Sequence, residues 1–288
     1  MSLDFANLIT APAVMTGIGL FFGIILASAA RLFRVDEDPR VQQTEEMLPG
    51  TNCGACGEPG CAPFAEAVVR GRVQLSKCTV ASPDMIDDIA AFLGVEAGQQ
   101  ERRIARLHCA GGHTEAHQIA EYRGFDSCAA AAVISGGGKG CSWGCLGLAD
   151  CAIACTFEVI HMNPNGLPVV ESDGCTACGD CVEACPRDLF EIVAESQRLF
   201  VQCATPLDGE AATHLCSVAC DACARCAADA PPGLIEMRDN LPRINYTTGL
   251  TVSAAPTRRC PTGAIRWIAG NQFTDSPAPR AREGQRHA

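Results

Sequence analysis

The run Cys175-x2-Cys178-x2-Cys181-x3-Cys185-Pro186 crowds four thiols onto one short stretch of chain. Thiols this close serve either disulfides or metal, and spacing decides between them. Tandem two-residue gaps ending in Cys-Pro are the iron-sulfur pattern. In that pattern the fourth cysteine of each run binds the cluster held by a partner run. Cys175, Cys178 and Cys181 therefore need a distant fourth thiolate, and Cys155 stands where an upstream run, Cys145-x5-Cys151-x3-Cys155, should end. A chain built this way folds as small units wrapped around metal rather than around one large apolar core.

Composition agrees. There are 20 cysteines in 288 residues, and only 5% of residues are aromatic. Hydrophobic burial is thin, so the metal groups must staple the fold. The length suits two or three small domains. A net charge of -11, with no basic run, excludes general nucleic-acid binding.

Three further constellations carry the same chemistry. Cys53-x2-Cys56-x4-Cys61-x16-Cys78 lies among Gly54, Gly57 and Gly60, which let the backbone wrap closely and turn its N-H groups toward sulfur. A zinc site with four cysteine ligands usually takes two separated short-spaced pairs, so this set is read as a [4Fe-4S] site. Cys220, Cys223, Cys226 and Cys260-Pro261 form half of a two-cluster pattern. The other half would need cysteine at Ala230, Leu250, Ser253 and Pro256, so that cluster is lost and its neighbour kept. In the run from Cys145, Leu148 occupies the place of the middle cysteine. Cys145, Cys151 and Cys185 then supply three thiolates, and three outcomes are open: a [3Fe-4S] cluster, recruitment of Cys141, or loss of the site. At least three [4Fe-4S] clusters are expected in all.

Five cysteines remain. The spacing Cys128-x12-Cys141-x3-Cys145 recurs as Cys203-x12-Cys216-x3-Cys220, which suggests two copies of one module and leaves Cys109 outside it. These five are either small buried hydrophobes or ligands of a further cluster, and no ligand set is assigned to them.

Residues 11 to 30 carry no charge over the length that spans a bilayer as a helix. Ala27-Ser28-Ala29 resembles a signal-peptidase site, but the preceding segment lacks the basic residues of a signal peptide, so a retained anchor is expected. Arg31, Arg34 and Arg40 follow it and place the rest of the chain in the cytoplasm, where thiols stay reduced.

The expected fold class is α+β: one N-terminal transmembrane helix, a small [4Fe-4S] domain, then two ferredoxin-like units, the second with a single cluster. The boundaries are an anchor at 1-34, the [4Fe-4S] domain at 35-98, units at 99-198 and 199-270, and a disordered polar tail at 271-288, whose Arg280, Arg282 and Arg286 are solvated or touch lipid. Phe64 to Val69 and residues 84-95 read as helices, and 105-109, 168-172, 198-203 and 242-246 as strands. The glycine-rich stretch around Lys139 lacks phosphate-loop spacing and reads as a flexible loop. Arg102, Arg103 and Arg106 form a basic patch, either a solvated helix face or a surface that steers an acidic partner. His108, His113 and His117 read as surface residues. No acid, base or nucleophile stands out.

With these motifs placed, the chain resembles the B subunit of the Rnf complex, the membrane-bound ferredoxin:NAD oxidoreductase. The likeness runs through EDPRVQQTEEMLPGTNCGACGEPGC, CSWGCLGLADCAIACTFEVIHMNPNGLPVV and CTACGDCVEACPRDLFEI. It implies an inner-membrane subunit that accepts electrons from soluble ferredoxin or flavodoxin and passes them to membrane and peripheral subunits, or runs in reverse. Against that family's pattern, Leu148, Ala230, Leu250, Ser253 and Pro256 stand where cysteine is expected, which implies one cluster lost and another altered. A zinc-loaded scaffold and a redox-responsive regulator are the alternatives.

Overall fold

The computed structural model describes residues 5-32, 38-99 and 101-274. Helix α1, Phe5–Leu32, carries exposed apolar side chains that include Ile18, Phe21, Phe22, Ile24 and Leu26. Among the described residues no helix is long and apolar enough to cross a membrane, so the expected transmembrane helix is not shown. Arg34 lies outside the described residues.

Residues 38-99 form an all-helical unit. Helix α2, Pro39–Met47, starts at Asp38, whose carboxylate accepts the Arg40 N-H. Helix α3, Cys61–Val69, presents Phe64, Ala65 and Val68 to a core completed by Leu75, Ile86 and Ile89. Helix α4, Pro83–Leu93, is capped by Ser82, with Pro83 at its first position and left-handed Gly94 at its end. The predicted helices at 64-69 and 84-95 are thus present.

The rest is two copies of one plan. In the first, β1, Arg103–Leu107, pairs antiparallel with β4, Phe190–Ala194, around an inner hairpin of β2, Ile160–Met162, and β3, Pro168–Val170. In the second, β5, Leu199–Val201, pairs with β8, Ile265–Trp267, around the hairpin of β6, Ile235–Arg238, and β7, Leu241–Ile244. The register repeats as well. His108 N-H donates to Leu189 O at 2.8 Å and Gln202 N-H to Ala264 O at 2.7 Å, one residue before Cys109 and Cys203 respectively. All four predicted strands are found.

Two expectations fail on packing. The stretch at Lys139 is fixed: Ile119 and Ala120 donate their N-H groups to Gly138 O, at 2.9 and 3.2 Å. Lys139 itself is buried, its Nζ donating to the carbonyls of Gly111 and Cys145, each at 2.5 Å. The arginines form no helix face either. Arg103 and Arg106 lie on β1 and Arg102 just ahead of it. Arg106 is buried, Arg102 donates to Ser172 O and Arg103 donates to Ile192 O. Residues 271-274, expected to open the tail, bond back to the first unit. Gln272 pairs with both backbone groups of Leu107, and Asn271 accepts from Ser172. Residues 275-288 and their arginines lie outside the described residues.

Candidate metal centres

All 20 cysteines are free thiols, and two cavities are each lined by four of them. In the helical unit, the loop ahead of α3 turns through left-handed Gly54 and Gly57, a conformation glycine adopts without steric cost. Cys61 opens α3 and donates its N-H to Asn52 Oδ1 at 2.8 Å. Cys78 closes the set: Val80 and Ala81 aim N-H groups at its sulfur, and Cys53 and Cys56 lie near enough to repel its charge. Of the expected ligands Cys53, Cys56, Cys61 and Cys78, the structure brings Cys53 and Cys56 near Cys78, and Cys56 and Cys61 pack on the same core.

Three runs repeat one backbone shape. Gly147, Ala177 and Ala222 have positive φ, as do Ala149, Gly179 and Ala224 two residues later. The cysteine two residues after that second turn residue then lies in a short helix: Cys151 in α6, Asp150–Ile153; Cys181 in α7, Asp180–Glu183; Cys226 in α8, Arg225–Asp229. Alanine in the left-handed region costs about 1 to 2 kcal/mol, so a turn that keeps Ala149, Ala177, Ala222 and Ala224 there implies an offsetting interaction. Inward N-H groups facing an anion supply one.

Cys155, Cys175, Cys178 and Cys181 line one cavity, as the crossing rule predicts. Arg106 is buried beside Cys175 and offers this site a counter-charge. In the second unit, Cys223 and Cys260 both lie near Cys226, and Cys220 completes that expected set. Of the positions where a second cluster would need cysteine, Ala230 packs against a core of Leu234, Ile235 and Ile265, Pro256 is buried and Leu250 is exposed.

At Leu148 another thiol stands close by. Cys128 begins α5, Cys128–Val133, and is fixed by Asp150, which accepts the N-H groups of Cys128 at 2.9 Å and Ala129 at 3.0 Å. Its sulfur faces the backbone N-H groups of Leu148 and Asp150 and lies near Cys151 and Cys185. Cys145 lies near Cys151.

Cys141 belongs elsewhere. Cys109, Cys141, Cys203 and Cys216 line one cavity between the two units. The spacing repeat had paired Cys128 with Cys203, whereas strand register pairs Cys109 with Cys203. Each stands two residues beyond its strand, and each accepts an N-H at 3.3 Å from the first cysteine of its own run, Cys145 and Cys220. Cys128 is the residue outside the repeat. The usable signal was distance from the strand end, not distance to the next cysteine.

Without metal the buried thiols hold their protons. Burial, aided by neighbouring sulfurs, pushes Cys151, Cys181, Cys216 and Cys220 up to about 12 and Cys226 up to about 11. Among the described residues no three His, Cys, Asp or Glu side chains come close enough to hold a single metal ion. The donors fit a polynuclear core: neighbouring thiols with backbone N-H groups facing sulfur. His113 and His117 are exposed, and His108 bonds Val201 O and Glu191 rather than a cysteine set.

Two family models match: a putative Fe-S cluster over residues 48-80 and a 4Fe-4S binding domain over 168-191. The chain is 34% identical over 258 residues to the B subunit of the ion-translocating oxidoreductase complex of Methanosarcina acetivorans, covering 90% of this chain and 97% of that one. It belongs to the B-subunit family of ion-translocating oxidoreductase complexes. Identity is 37% over 257 residues, 88% of this chain and 90% of the relative, with the B subunit of the proton-translocating ferredoxin:NAD(+) oxidoreductase complex of Clostridium ljungdahlii. It is 41% over 215 residues with the B subunit of the Na(+)-translocating ferredoxin:NAD(+) oxidoreductase complex of Acetobacterium woodii, spanning 74% of this chain and 65% of the relative. These relatives confirm the resemblance read from the motifs.

Proposed function

We propose that this chain is the electron-carrying subunit of an ion-translocating oxidoreductase complex, exchanging electrons with a soluble ferredoxin and with other subunits while α1 holds it at the membrane. The observation that carries this is the cavity lined by Cys155, Cys175, Cys178 and Cys181, with Arg106 buried beside Cys175. Clusters bound there supply reversible one-electron chemistry.

The ligands proposed for the expected sites are Cys53, Cys56, Cys61 and Cys78; Cys155, Cys175, Cys178 and Cys181; Cys220, Cys223, Cys226 and Cys260; and Cys145, Cys151 and Cys185 completed by Cys128. The chain's own work is to hold these thiolates, aim N-H groups at them and exclude water. Buried Arg106 and Lys139 place positive charge beside sites that become anionic when loaded. A zinc scaffold is disfavoured by the matches to Fe-S and 4Fe-4S families, and a sensor with one incomplete site is disfavoured by Cys128. The exposed apolar side chains of α1, with Arg31 at its end, support a membrane anchor with the metal-binding units on the cytoplasmic side.

One experiment tests donor and anchor together. The full chain is mixed anaerobically with phospholipid vesicles and reduced ferredoxin, then floated on a density gradient. Chain that floats with the vesicles and shows the EPR signals of reduced clusters is the expected result. Chain that stays oxidised beside excess reduced ferredoxin refutes the donor, and chain that sediments away from lipid refutes the anchor.

A further inference from the structure

We propose that Cys109, Cys141, Cys203 and Cys216 bind an additional iron-sulfur cluster at the seam between the two ferredoxin-like units, joining the sites on either side into one row. This rests on the iron-sulfur reading above and assigns a site that cysteine spacing alone did not.

Each unit contributes two ligands from equivalent places: the cysteine two residues beyond its first strand, and the cysteine four residues before its own run. The units are stitched together here. Ala110 N-H donates to Gln202 O at 3.0 Å, His117 N-H to Leu215 O at 2.8 Å, and Ser217 N-H to Glu115 O at 2.9 Å. Cys109, Cys141 and Cys216 are buried and Cys203 is half-buried. They line one cavity, as Cys155, Cys175, Cys178 and Cys181 do. Equal donors around a like cavity call for the same guest. Binding would replace four thiol protons with four sulfur-iron bonds.

Position gives the site its role. Cys181 lies near Cys151, which joins the two sites of the first unit. Cys145 N-H reaches Cys109 Sγ, and Cys220 N-H reaches Cys203 Sγ, both at 3.3 Å. The seam set therefore lies between the Cys128 set and the Cys220 set. Lys139 is buried alongside, near Cys141 and Cys145, where its ammonium faces both the seam set and the Cys128 set. Counting the seam set, five sets of four use all 20 cysteines.

The test is iron content of the full-length chain. Cys216→Ser and Cys141→Ser, one ligand from each unit, should each lower iron by about one fifth. Cys128→Ser/Cys216→Ser should lose the sum of the two single losses, because the two residues serve different sites. Gly111→Ala keeps every thiol but would place a Cβ 2.7 Å from Cys216 Sγ, and it should lose the same fifth. Unchanged iron in Cys216→Ser, Cys141→Ser and Gly111→Ala would overturn the seam site and leave the electron-carrier reading standing. An unmodified chain without iron would overturn both.

Discussion

Removing iron from the full chain with an anaerobic chelator will unfold residues 101-268 and leave much of 61-93 helical. Each of the four sheets has only two strands, and an isolated two-stranded sheet is marginal in water. The largest core of the first unit contains Cys109, Cys151, Cys155 and Cys181 among its buried members, so its centre is made of would-be ligands. Once the metal leaves, those thiols surround voids, and the strands lose what they pack against. The helical unit differs. Phe64, Leu75, Ile86 and Ile89 form an apolar core in which Cys78 is the one buried cysteine, and α4 carries its own caps. Hydrogen exchange reads the difference. Amides of β1 and β4 should lose at least about 100-fold of their protection, while those of α4 lose less. Equal protection of β1 with and without iron would contradict the account.

Cys128→Ser should convert one site rather than empty the chain. With Cys128 gone, Cys145, Cys151 and Cys185 remain as three thiolates, the number that holds a three-iron cluster. The expected result is a new EPR signal of an oxidised [3Fe-4S] cluster, or loss of about one fifth of the iron. Cys141→Ser should leave that site unaltered, since Cys141 faces the seam cavity. If the unmodified chain already shows the three-iron signal and Cys128→Ser leaves it unchanged, Cys128 is not the fourth ligand. Asp150→Asn is a milder companion: it weakens the hold on the N-H groups of Cys128 and Ala129 while keeping all thiols, so the same site should lose iron faster to a chelator.

What the sequence disclosed and what it hid follow from where the information lies. Cysteine runs are local, and their left-handed turns follow from the spacing, so Cys155, Cys175, Cys178 and Cys181 could be grouped from the sequence and line one cavity. Strands at 105-109 and 198-203 were legible because short β-branched and aliphatic stretches fit half-buried sheet positions. The errors are nonlocal. Cys128 and Cys203 share a twelve-residue gap to the next cysteine, yet only strand pairing shows that Cys203 matches Cys109. Lys139 looked solvated amid glycines until Gly111 and Cys145 were seen to accept its ammonium. The three arginines were read without the alternation of a strand, which turns Arg106 inward beside Cys175. In each case the deciding contact joins residues far apart in the chain, and a single sequence does not encode such contacts in any readable spacing.

The most direct test of the central claim is metal and sulfide analysis of the full-length chain purified without oxygen. Five four-iron clusters predict about twenty irons, a matching amount of acid-labile sulfide and no stoichiometric zinc. A colourless chain carrying zinc and no sulfide would contradict the account at its root.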